Sequence, residues 1–150
     1  MLGLLRRALD GDGDCFLVCE DDVIFNRHLR HNLARWAPLR AGRVRLASLY
    51  NPGVTALGRE PQAVAADPET ALGAQGRLYS RGCAEHVVRE FRASAWHQDV
   101  AVARLGAELG PVLYHAPSLV QHAGVASVWG GPWHEARDFA PDWRADDAEG

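Results

Sequence analysis

Cys15-Phe16-Leu17-Val18-Cys19-Glu20-Asp21-Asp22-Val23-Ile24-Phe25 is the stretch on which the reading of this chain turns. Five apolar residues run without alternation, three carboxylates follow, and three more apolar residues close it. Such an unbroken run predicts a strand buried on both faces, the central strand of a sheet, ending in acid. Folding alone does not ask for that ending. Three adjacent anions repel one another and are costly to desolvate, so their place between two apolar runs points to something positive nearby. A divalent cation is the simplest partner, because magnesium and manganese take carboxylate oxygens and keep positions open for water or substrate phosphates. The plainer alternative is a strand end with solvated acids.

Upstream, Leu2, Leu5 and Leu9 recur at helical spacing until Asp10-Gly11-Asp12-Gly13 stops them, predicting a short helix and a tight turn into the strand. Asp10, Asp12 and Asp14 imitate the start of a calcium loop, but Cys15 and Asp21 stand where its glycine and bidentate glutamate belong. Downstream, His28 to Trp36 places Leu29, Leu33 and Trp36 on one helical face closed by Pro38, with His28 and His31 on the solvated side. Val44 to Tyr50 reads as a second strand cut by the turn signal Asn51-Pro52-Gly53. From there to Gly76 the chain is rich in Gly, Pro and Ala with little periodicity, the mark of a functional or disordered loop. Arg77-Leu78-Tyr79 predicts a short strand, Ser80 a cap for a helix through Cys83, Val87 and Phe91, and Gln98 the start of another helix. Pro111 to Tyr114 reads as a strand and Pro117 to Gly124 as strand then loop, while the segment from Gly130 is irregular and expected to be mobile.

With 150 residues the chain suits one domain. A net charge of -3 gives no electrostatic case for nucleic acid or an anionic membrane. All sixteen basic residues are arginine, which excludes Schiff-base chemistry and any lysine base. Cys15, Cys19 and Cys83 form no Cys-x-x-Cys pair, so reduced, buried thiols fit better than a disulfide framework or zinc knuckle. Apolar runs fall short of a membrane span, and Met1 to Arg7 has its charges in the wrong order for a signal peptide, so a soluble, cytoplasmic protein is expected.

The order of motifs resembles the GT-A class of nucleotide-sugar-dependent glycosyltransferases over residues 14–124. The acidic strand ending Glu20-Asp21-Asp22-Val23 is similar to that of the lipopolysaccharide-type transferases, and Pro117-Ser118-Leu119-Val120-Gln121-His122-Ala123-Gly124 to the late segment of the branching N-acetylglucosaminyltransferases. Between them Ser94-Ala95-Trp96-His97-Gln98-Asp99 sets an acid at the head of a helix. The resemblance implies an α/β domain over residues 1–129, with a mixed sheet flanked by helices like the C-terminal half of a GT-A fold. It implies transfer of a sugar from a nucleotide-diphosphate donor to an acceptor hydroxyl, with inversion and with Mn2+ or Mg2+ as cofactor. Glu20-Asp21-Asp22 matches the Asp-x-Asp motif, which makes Asp22 a metal ligand and gives Glu20 and Asp21 to the donor. His122 matches the late histidine that completes the metal sphere, and Asp99 the catalytic base. Each also has a structural reading: His122 as a turn histidine, Asp99 as an acid favouring the positive end of its helix, Trp96 and His97 as packing residues. Arg77 and Arg81 could fork onto phosphate, but most arginines lie on surfaces and neither joins the expected site.

The sequence departs from that family in having one helix ahead of the acidic strand and no Gly-rich nucleotide loop. A fragment, an inactive remnant that binds carbohydrate or protein, and a compact form pairing as a homodimer along an open strand edge are the readings this leaves. A metal-dependent hydrolase using the same acids is a third function.

Overall fold

The structure, a computed structural model, describes residues 1–52, 61–71, 73–92, 97–124 and 135–146. The leucine spacing at the start forms α1 (Leu2–Leu9), which buries Leu5 completely. The apolar run that follows is β1 (Cys15–Cys19), and β2 (Val23–Phe25) resumes after the acids. Then come α2 (Leu29–Arg35), the short α3 (Ala37–Arg40), β3 (Leu46–Ser48), β4 (Gln62–Ala65) and β5 (Gly76–Ser80). The chain continues through α4 (Arg81–Glu90), α5 (Gln98–Ala107), β6 (Val112–Ala116) and β7 (Val120–His122). Five strands form a mixed sheet in the order β1-β5-β3-β6-β4, in which β3 and β6 are parallel and the other neighbours antiparallel. Strands β2 and β7 form a separate antiparallel pair. The fold is therefore α/β, a mixed sheet flanked by helices.

Side chains alternate across the sheet as strand geometry requires. Leu46 of β3 and Tyr79 of β5 enter a core with Leu5, Cys83, Val87 and Val102 from the helices. Their neighbours Ala47 and Leu78 face the opposite side, against Trp36 and Val44. A third cluster, of Leu49, Tyr50, Leu119, Val120 and Ala136, fills the space under β2 and β7.

Several expectations need correction. β1 is an edge strand paired with β5 alone, not a central one, and Cys15 is exposed while its other residues are half-buried. Its unbroken apolarity has a different cause: Phe16 and Val18 pack on the helical core and Leu17 on the other two clusters. Cover on both faces dictates the composition, and it says nothing about neighbours in the hydrogen-bonding direction. Exposed Cys15 likewise departs from three buried thiols. Pro38 does not close a helix. It sits in the first turn of α3, where a missing N–H costs nothing. The second strand spans only Leu46–Ser48, because the Ser48 hydroxyl donates to Tyr50 O at 2.7 Å and ends the ladder. Within the Gly/Pro/Ala-rich stretch, whose composition predicts loop, Gln62–Ala65 forms the strand β4, and residues 53–60 and 72 lie outside the described ones. His31 is half-buried, with Nε2 at 3.0 Å from Ala145 O. No helix among the described residues is long and apolar enough to cross a membrane.

The described part of the C-terminal segment, residues 135–146, is irregular but held in place. Asn26 Nδ2 donates to Ala140 O and Trp143 O, Arg27 N to Pro141 O, and Ala145 N to Asn32 Oδ1. Trp143 packs on the cluster under β2 and β7, while Trp129 and Trp133 lie outside the described residues.

Candidate functional site

β1 ends where Cys19 pairs with Gly76, the first residue of β5, and beyond that point the chain leaves the sheet. It turns through Glu20, Asp21 and Asp22 and joins β7 in a register that sets Val23 opposite His122. Ala123 N donates to Asp22 O at 2.7 Å and locks this turn. The register brings together two side chains that lie far apart in sequence: His122 Nε2 is 3.1 Å from Asp22 Oδ2. His122 is nearly enclosed, at 10% side-chain exposure. Gly124 N approaches its Nδ1 at 3.4 Å, which assigns the lone pair to Nδ1 and the proton to Nε2, facing the carboxylate. The other oxygen, Asp22 Oδ1, is buried and has no hydrogen-bond partner among the described residues.

Glu20 and Asp21 line a cavity of about 310 Å³ together with residues from the N-terminal turns of α1 and α5. Asp99 lines the same cavity from the first turn of α5. Leu4, Val18 and Val102 are among the apolar residues that line it with the three carboxylates. Burial, then repulsion from Asp22 and Asp99, pushes the Glu20 carboxyl up from its usual range, against a smaller pull from His122. The acids at the end of β1, Asp99 and His122 thus share one electrostatic neighbourhood, although Asp22 and His122 lie outside the cavity lining. Asp99 Oδ2 accepts the backbone N–H of Gly73 at 3.0 Å, and His97 is exposed at the start of α5. Ser94, Ala95 and Trp96 lie outside the described residues.

Neither arginine weighed from sequence has its fork directed at a phosphate. Arg81 donates to the backbone carbonyls of Gly13, Leu9 and Gly11 and lies over the Phe16 ring. Arg77 is buried on the cavity wall and donates to Gly73 O, Asp99 O and Ala71 O. Sequence reasoning passed over Tyr79 and Gln98, which also line the cavity. The one available signal was Gln98's place directly before Asp99 at a helix start.

One carboxylate and one imidazole suit manganese or magnesium when phosphate and water oxygens supply the remaining positions. The orphaned Asp22 Oδ1 is the atom that a cation there would satisfy. To ligate through Nε2, His122 would have to carry its proton on Nδ1 and release Gly124 N. Among the described residues no group of three His, Cys, Asp or Glu side chains gathers to hold a metal ion, so the protein offers a pair and not a cage. No protein-family model, no curated protein and no solved structure matches the chain.

Proposed function

We propose that this chain is a metal-dependent glycosyltransferase domain that moves a sugar from a nucleotide-diphosphate donor to an acceptor hydroxyl with inversion. The observation that carries the reading is the 3.1 Å approach of His122 Nε2 to Asp22 Oδ2, directly after Glu20 and Asp21, which line an acid-bearing cavity. Asp22 and His122 would hold Mn2+ or Mg2+, which supplies charge neutralisation to the departing diphosphate. Glu20 and Asp21 hydrogen-bond donor hydroxyls in the cavity. Asp99, which lines the same cavity, keeps Oδ2 on Gly73 N and takes the acceptor proton on Oδ1 as the acceptor oxygen bonds the anomeric carbon and the bond to the diphosphate oxygen breaks. Leu4, Val18 and Val102 form an apolar lining that reduces the water competing for the same carbon. Three carboxylates around the space favour a neutral or amine-bearing acceptor over an anionic one.

Titration calorimetry with manganese and a panel of nucleoside diphosphates tests this. Wild type should bind a diphosphate only with the metal present, and Asp22→Ala should weaken that binding at least about tenfold, the order expected when one metal-ligating group goes. Metal-independent binding, or indifference to the substitution, would overturn the proposal. A second reading, an inactive carbohydrate-binding module, is favoured by the lack of a three-ligand group among the described residues. It requires sugar binding with no donor turnover in manganese.

A further inference from the structure

We propose that Arg77 is the positioning residue that fixes Asp99 on the cavity wall; its chemical use rests on the transferase reading above. Arg77 is 5% exposed and lines the cavity, a setting that invites an anion-binding role. Its hydrogen bonds point elsewhere. Nε donates to Gly73 O at 3.2 Å, Nη1 to Asp99 O at 3.0 Å and Nη2 to Ala71 O at 3.0 Å. Most of its five N–H donors are therefore committed inside the protein.

The contacts close a ring. Arg77 grips Gly73 and the backbone of Asp99, and Gly73 N–H in turn donates to the Asp99 carboxylate at 3.0 Å. Main chain and side chain of Asp99 are thus tied to one guanidinium, which itself projects from β5 in the middle of the fold. The ring needs glycine at position 73, where φ is +103° and a Cβ would lie 2.9 Å from Tyr50 Cδ1. It also needs the planar fork: a lysine ammonium is a point donor and cannot span Ala71, Gly73 and Asp99 together. Ala71 and Gly73 belong to no helix or strand, so these bonds rather than a ladder set the loop against α5.

The test compares wild type with Arg77→Lys, Arg77→Ala and Asp99→Ala in the full chain. Amide hydrogen exchange at Gly73, read by NMR, should quicken about tenfold or more in Arg77→Lys and in Asp99→Ala, because each breaks the ring. Donor turnover with manganese should show kcat lowered ~10- to 100-fold in Arg77→Lys, the scale of a misplaced base, with donor KM and manganese affinity within about twofold of wild type. Free guanidinium at millimolar concentration should restore part of the kcat of Arg77→Ala. If Arg77→Ala does not fold, Arg77→Lys decides the question alone. Wild-type Gly73 protection in Arg77→Lys overturns the proposal, as does a wild-type kcat there, or a rise in donor KM and a loss of manganese affinity in step with the fall in kcat. A wild type that consumes no donor refutes the transferase reading instead, and Gly73 exchange then decides by itself whether Arg77 sets Asp99.

Discussion

At His115 the proton is decided by burial. The ring is fully enclosed, 5.1 Å from the Trp36 ring and 6.1 Å from that of Trp143. Nδ1 meets Pro117 O at 2.7 Å, so it carries the hydrogen, while Nε2 is buried without a partner among the described residues. Desolvation pushes the imidazole down from 6.5 to about 4, against a smaller upward pull from the Pro117 carbonyl. Between those values the unfolded chain binds a proton that the folded one refuses, so stability rises with pH. The contribution is full above about pH 6.5 and is lost as pH falls toward 4, amounting to about 3 kcal/mol. Urea unfolding at pH 7.5, 5.5 and 4.5 should show this slope, and His115→Phe should flatten it while costing about 1 kcal/mol at pH 7.5 for the lost bond to Pro117. An unchanged slope in the variant would assign the effect to another group. No sequence signal marks His115, because one histidine in an apolar strand looks alike whether its ring is enclosed or wet. Asp22 and His122 were legible because each stands in a motif of its own.

Helix α5 shows how an element's placement hangs on one missing side chain. A Cβ built on Gly106 would lie 2.5 Å from Leu46 Cδ2 and 2.9 Å from Leu46 Cβ, so the helix rests directly on β3. Gly106→Ala gains up to ~1 kcal/mol of helix propensity but meets overpacking worth ~1–3 kcal/mol in a tight core. The Cβ atom of Leu46 cannot swing away as a side-chain tip could, so strain wins. The variant should be less stable by about 1–2 kcal/mol in denaturant unfolding, and stability equal to wild type would show that the contact yields. Legibility varied between elements for physical reasons. The cap at α4 could be read directly, with Ser80 Oγ accepting Cys83 N at 3.2 Å, since capping depends on neighbours in sequence. β4 could not, because Gln62-Ala63-Val64-Ala65 has weak strand preference and owes its conformation to its antiparallel pairing with β6.

For the molecule as a whole, the C-terminal segment works as a strap over β2, α2 and β7. Asn32 is its principal anchor: fully buried, it donates to Asn26 Oδ1 at 2.9 Å and Trp143 O at 3.1 Å and accepts Ala145 N at 2.9 Å. Ser118 N donates to the buried Asp138 Oδ2 at 3.0 Å, and Gln121 bonds Ala136 in both directions. Asn32→Ala strands these partners and should destabilise the protein by ~2–4 kcal/mol, with hydrogen exchange rising in residues 136–145 and α2 before the β5 and α4 core. A rise spread evenly over the chain would show that the strap has no separate role. The same segment packs behind the strand that carries His122, so it supports the geometry of the Asp22 pair.

Local sequence determined what local forces govern: α1 from its apolar spacing, α4 with its Ser80 cap, and the apolar strand ending in three acids, whereas the α/β class with a mixed sheet was what the resemblance implied. Tertiary structure decided what depends on distant partners. It put β1 at the edge of the sheet, drew Gln62–Ala65 into it, fastened the tail through Asn26 and Asn32, and closed the ring of Arg77, Gly73 and Asp99. Periodicity records which faces of an element are covered. It carries no record of which strand lies alongside or which buried side chain shares a hydrogen bond, because those follow from the assembled chain.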